Sequence, residues 1–249
     1  MTNTPTRATY VINLQHRLDR RREMQKQLSS VGWQATFFPA IRPDNAADFS
    51  SIGARGCYLS HLAVLKEAKS AGVRQLILLE DDVNFAPHFA EGWQSSMRRL
   101  EALEWSVFYP GHVLETLPQG LSLLSPSTAV RCSHFMVVNG TAIPLLIDGL
   151  ETIISRPPGH PLGGPMHVDG AYNTIRMQNP SLDTYAFSPT LGYQRPSRTD
   201  VGDLKWFDRI AALRPILKFG RRIKGIAGVR GIRLIIARAT GEADSGTRT

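Results

Sequence analysis

An α/β fold is the class this 249-residue sequence predicts. Three observations carry the prediction. Short β-rich or apolar runs alternate along the chain with stretches of helical spacing, the pattern of an α/β sheet protein. No apolar run approaches the roughly 18 residues of a spanning helix. No segment repeats another, which sets solenoids and propellers aside.

The elements follow in order. Ala8 to Leu14 is a β-rich run and reads as the first strand. Arg17 to Ser30 is charged, with Leu18, Met24 and Leu28 at helical spacing, and Gly32 stops it. Ala35 to Ile41 reads as a second strand and Arg42 to Ser51 as a polar loop. Gly56 to Lys69 is expected to be a helix, with Leu59, Leu62, Ala63 and Leu65 on one side and Gly72 beyond its end. Arg74 to Leu79 is a buried strand running into Glu80-Asp81-Asp82. A helix over Phe89 to Ala102 and strands over Ser106 to Tyr109 and Ser133 to Val138 come next. Thr141 is placed to cap a helix over Ala142 to Glu151. Arg156 to Pro165 must be a loop, Ala171 to Met177 a short helix and Thr184 to Phe187 a last strand.

Composition narrows the function classes. The net charge is +8, but it is not spread evenly. Between Leu204 and Arg238 stand ten Lys or Arg residues and a single acid, Asp208, so the rest of the chain is close to neutral. A fold that reads DNA across one face is expected to be basic over that face. The pattern points instead to a local anionic partner. Cys57 and Cys132 make no disulfide framework and read as reduced, partly buried thiols. Residues 1–7 carry no apolar signal core, so the expectation is an intracellular protein.

The acidic triplet is the main chemical feature. Three carboxylates follow directly on Ile77-Leu78-Leu79, and their repulsion needs a cation or several donors to offset it. Open α/β sheets bind ligands beyond the carboxyl ends of their strands. A hard divalent ion, Mg²⁺ or Mn²⁺, takes oxygen ligands and shares them with phosphates. If strand geometry persists, Glu80 and Asp82 point the same way. The alternative is a solvated acidic turn. Gly56-Cys57-Tyr58-Leu59-Ser60-His61 is expected to open the preceding helix, whose free N–H groups favour anions. Ser60 and His61 add donors there, unless His61 is simply a buried ring bonded to backbone.

Three ordered stretches resemble glycosyltransferase family 25, the lipooligosaccharide-type and procollagen-type sugar transferases. They are Tyr10-Val11-Ile12-Asn13-Leu14, with Arg17, Asp19, Arg20, Arg21 and Phe38-Pro39-Ala40 after it; Gly56 to His61; and Ile77 to Val83. Weaker similarity runs through Val168-Asp169 and Leu191 to Ser197, so the resemblance spans about residues 8–200. It implies a GT-A-like nucleotide-binding fold with a mixed, mainly parallel sheet, a UDP-hexose donor and usually Mn²⁺. Asp82 is then the first metal ligand, with Glu80 and Asp81 on metal, ribose or donor sugar. Asn13, Arg17 and Arg20 fall where such folds hold base, ribose and diphosphate, although the arginines also suit a solvated helix face. Gln194 is assigned to donor or metal-bound phosphate. Inversion at the anomeric centre needs a base. Asp169 is the candidate, with His167 turned to the same side if the backbone there is strand-like. The alternative is that Asp169 caps the helix after it. Phe108 to His112 and the loop Arg156 to Pro165 depart from the family pattern.

Trp206, Ile210, Leu213 and Leu217 mark one helical face, with Lys205, Arg209 and Arg214 beside it, as in an interfacial helix on anionic lipid. The alternative is a helix packed on the domain with a solvated basic face. Pro215 and glycines 220, 225, 228 and 231 argue against one continuous helix. The expected organisation is a flexible 1–7, a GT-A-like domain over 8–203, a basic helical appendage over 204–238 and a disordered 239–249. The expected activity is metal-dependent hexosyl transfer to a lipid-linked or surface glycan at the cytoplasmic face of a membrane. A non-catalytic nucleotide- or glycan-binding protein of the same fold is the rival.

Overall fold

A computed structural model describes residues 7–114 and 116–195. The basic segment 204–238, the tail 239–249 and Ser197 lie outside these residues. The first strand, β1 (Arg7–Asn13), leads through α1 (Leu18–Ser30) to β2 (Thr36–Pro39). Next come α2 (Ile52–Ser70), β3 (Gln75–Glu80), β4 (Val83–Phe85) and α3 (Phe89–Leu100). β5 (Val107–Val113), β6 (Gly120–Leu123) and β7 (Arg131–Asn139) follow in sequence. The chain continues through α4 (Ile143–Ser155), α5 (Val168–Gln178), β8 (Thr184–Ser188) and β9 (Gly192–Gln194).

One mixed sheet organises the fold, in the order β2-β1-β3-β7-β5-β8-β6. β1 pairs in parallel with β2 and with β3, and β5 in parallel with β8. β7 runs antiparallel between β3 and β5. β4 pairs antiparallel with β9, which also touches β5. The α/β class and mixed sheet expected from the sequence are observed.

The period of two in the strands explains the core. Leu76 and Leu78 of β3 and Met136 and Val138 of β7 enter one apolar cluster, with Tyr58 and Leu65 of α2, Leu150 of α4 and Tyr172 of α5. The intervening Ile77, Leu79, Phe135 and Val137 enter the opposite cluster, with Met24 and Leu28 of α1 and Phe89 of α3. A strand covered on both faces must be apolar at every position, which is why Leu76 to Leu79 shows no polar alternation. In the second cluster Trp33 meets Phe85, Phe89, Trp93 and Phe135 edge-on.

Three local expectations need correction. α2 starts at Ile52, not Gly56, because the Ser51 hydroxyl accepts from the Ala54 N–H and caps the helix a full turn earlier. Thr141 does not cap α4; it sits in a 3₁₀ turn capped by Asn139, whose Oδ1 accepts from both its N–H and its hydroxyl. The backbone before Ala171 is helical from Val168. No helix among the described residues is long and apolar enough to cross a membrane.

Candidate active site

The carboxyl ends of β1, β2 and β3 and the first turn of α2 enclose a cleft of about 350 Å³. Leu14 and His16 line it after β1, Arg42 after β2, Gly53 and Cys57 from α2, and Asp81 after β3. The start of α2 therefore does face the cleft, one turn earlier than the sequence suggests. Its free N–H groups and positive dipole end make that wall attractive to anions. Gly56 lets α2 come close. A Cβ there would stand 2.5 Å from the carbonyl oxygen of Ile41.

Strand parity distributes the triplet. Glu80, the last residue of β3, continues the face of Leu76 and Leu78, so it meets α2. Its Oε1 lies 3.3 Å from Nε2 of His61 and accepts from the Cys57 thiol at 3.7 Å. Asp81 turns to the α1 side. It accepts from Asn13 Nδ2 at 2.6 Å and pairs with Arg20 at 2.9 Å. Asp82 opens the turn into β4. Its Oδ2 accepts from Gln194 Nε2 at 3.1 Å and lies 3.7 Å from Arg20, while its carbonyl takes the Arg195 N–H. Glu80 and Asp82 thus do not project together, because the strand ends at Glu80 and a turn intervenes.

The electrostatics follow from this crowding. Burial, then the charge of Glu80, push the Asp82 carboxyl up to about 7. Burial also raises Asp81, against the opposing pull of Asn13 and Arg20. For Glu80 burial works upward, but the hydrogen bond and charge of His61 and the neighbouring His134 leave it below the usual carboxylate range. Oδ1 of Asp82 is buried without a hydrogen-bond partner, as is Oδ1 of Asn13. An orphaned, hard oxygen on a crowded carboxylate suits a divalent ion.

The structure brings together Asn13, Arg20, Glu80, Asp81, Asp82, His61 and Gln194. It separates others. Ser60 is fully buried and already engaged, donating to the Gly56 carbonyl and accepting from the Ile41 N–H. It braces α2 against the loop after β2 and does not reach the cleft. Arg17 makes a bidentate pair with Asp19 two residues on. Arg20 serves the carboxylates and is not a solvated face residue. His167 and Asp169 do not share a side, since the chain is helical there and not strand-like. His167 faces Ser50 at 3.0 Å, whereas Asp169 accepts from the N–H groups of Gly170 and Cys132. Asp169 still lies near enough to the site for its charge to help raise both Cys57 and Cys132.

His134 and Arg195 escape sequence reasoning. His134 lies one step beyond the Leu79–Phe135 pair, opposite Glu80. Arg195 bonds Asn84 and pairs with Glu23. Only the sheet order, with β7 beside β3, exposes the first. Only the β4–β9 pairing exposes the second.

The cleft, the acidic turn at its rim and the mixed sheet define an α/β domain with a candidate site at its strand ends. Residues 6–117 match the model of glycosyltransferase family 25 (LPS biosynthesis protein), the family that the sequence motifs resemble. A putative glycosyltransferase of Acanthamoeba polyphaga mimivirus, R655, is 35% identical over 108 residues, 36% of this chain and 33% of that protein. Procollagen galactosyltransferase 1-A of Xenopus laevis is 26% identical over 125 residues, 41% of this chain and 20% of its own. The chain thus spans a third or less of the length of these relatives. Among solved structures, a glycosyltransferase involved in glycosylation of the major capsid of PBCV-1 aligns at a TM-score of 0.41 and 11% identity, over 78% of this chain and 95% of that one.

Proposed function

We propose that the chain is a glycosyltransferase that moves a hexose from a UDP-sugar to a hydroxyl of a lipid-linked or surface glycan. The observation that carries the reading is the acidic turn beside the cleft, where Glu80 and Asp81 line the wall and Oδ1 of Asp82 is buried without a hydrogen-bond partner. The family 25 match over residues 6–117 supports the reaction class.

In this reading the cleft between β1, β2 and α2 takes the nucleoside, and the N-terminal turn of α2 faces the diphosphate. Asp82, through its orphaned Oδ1, would hold Mn²⁺ or Mg²⁺, while Glu80 turns to α2. When bound, such an ion would supply Lewis-acid charge to a departing diphosphate. Gln194 orients the Asp82 carboxylate through Oδ2. Arg20 and Asn13 fix Asp81, which then faces ribose or donor sugar. Asp169 takes the proton of the attacking hydroxyl, giving inversion, and His167 stands outside it as an acceptor contact. The segment 204–238 binds anionic lipid on the cytoplasmic face, which brings the domain to a membrane-held acceptor.

The test is release of UDP from a panel of UDP-hexoses with Mn²⁺. Wild type should turn over at least one donor, and Asp82→Asn should lose at least about a hundredfold, the scale of one preorganised electrostatic contact. Equal rates would remove the metal assignment. The rival non-catalytic reading draws on Arg20, which offsets the triplet without a metal. UDP binding by calorimetry with no turnover on any donor would decide for it.

A further inference from the structure

Beside the oxygen-rich pole at Asp82 lies a second, chemically different cluster. Cys57 and His61 are four residues apart, so α2 presents both on one face, directly over the end of β3. Cys57 Sγ stands 3.7 Å and His61 Nε2 3.3 Å from the same oxygen of Glu80. All three donor atoms lie within 4.8 Å of one another. With Zn–S near 2.3 Å and Zn–N or Zn–O near 2.1 Å, tetrahedral ligand atoms stand about 3.4–3.6 Å apart. The two measured edges bracket that range.

We propose that Cys57, His61 and Glu80 form a binding site for zinc, separate from the Asp82 pole and opening on the cleft. Thiolate, imidazole and carboxylate are the ligand types zinc takes, whereas the oxygen set at Asp82 suits Mg²⁺ or Mn²⁺. Three protein ligands leave a fourth position. Cys57 and Glu80 both line the cleft, which gives the ion a route in and the fourth position an outlet. Behind the ring, the Tyr172 hydroxyl lies 3.2 Å from Nδ1 of His61. With zinc on Nε2 in place of the proton shared with Glu80, Nδ1–H can donate to that hydroxyl, which fixes the ring's orientation. Burial and the charge of Glu80 keep the Cys57 thiol protonated in the metal-free protein. The thiol proton therefore passes to solvent as the sulfur–zinc bond forms, and affinity falls as pH falls.

The site stands independently of sugar transfer, so its test uses binding alone. The full chain is titrated with Co²⁺, a coloured stand-in for zinc, in buffer free of other metals. One equivalent should develop a sulfur-to-cobalt charge-transfer band in the near ultraviolet, and zinc should abolish it. Cys57→Ala should lose the band, and Glu80→Gln should weaken cobalt binding at least tenfold. Cys132→Ala should keep the band, and so should Asp82→Asn. A wild type without the band overturns the site. So does a band that survives in Cys57→Ala, or one that Asp82→Asn removes.

Discussion

Asp82 and Arg20 hold opposite ends of one electrostatic account. A carboxyl pushed up to about 7 binds more protons folded than unfolded at pH values between its ordinary value and about 7. Stability therefore falls as pH rises from about 4 to about 7, and the loss is complete above that window. In metal-free protein, Asp82→Asn should gain on the order of 2 kcal/mol at pH 8 and little at pH 4. Urea unfolding at the two pH values measures it, and an equal gain at both would show that ionisation of Asp82 is not the cause. Arg20 is the opposite case. It and Asp81 are both nearly buried, so removing the guanidinium strands two carboxylates. Arg20→Ala should cost about 3 kcal/mol, and Arg20→Lys should recover part of that. If the alanine variant unfolds at the wild-type urea concentration, the pair contributes nothing.

At the scale of elements, α2 and the β4–β9 pair set the site. The Ser51 cap holds the first turn of α2 against the cleft, so Ser51→Ala should cost about 1 kcal/mol in thermal unfolding. Gly56→Ala should cost more, about 1–3 kcal/mol, because its Cβ meets backbone and not a side chain that can swing away. It should also weaken UDP binding, since the same shift widens the cleft; unchanged calorimetric affinity would separate the two effects. Much of this was legible beforehand. The run Leu76 to Leu79 announced a doubly covered strand, and the triplet after it announced the site. Strand ends were harder. Only three residues form β4 and three form β9, too few for a period of two to show. Ser51 went unrecognised as a cap because Gly56-Cys57-Tyr58 drew the helix start four residues too late. Asp169 fell on a helix because Val168, Ala171, Tyr172 and Ile175 all pack inward at helical spacing, which overrides the short strand-like reading around His167.

For the whole molecule, charge and connectivity matter most. Ten basic residues against one acid between 204 and 238 leave the remainder near neutral. Removal of residues 204–249 should abolish sedimentation with vesicles of anionic lipid while leaving UDP calorimetry as it was. Retained sedimentation would end the membrane proposal. The match to the family 25 model stops at residue 117, yet Asp82 leans on Gln194 and Glu80 faces His134. The order β3-β7-β5 adds a further consequence. On a chain emerging from a ribosome, β3 and β5 are both complete before β7 exists, and β7 must then be threaded between them. Until it arrives, the nascent sheet is two separate pieces, and Glu80 lacks His134 although Arg20, Asn13 and His61 have already been made. The carboxylates thus stand together from the start, and their last partners, His134 and then Gln194, come from strands that carry none of them.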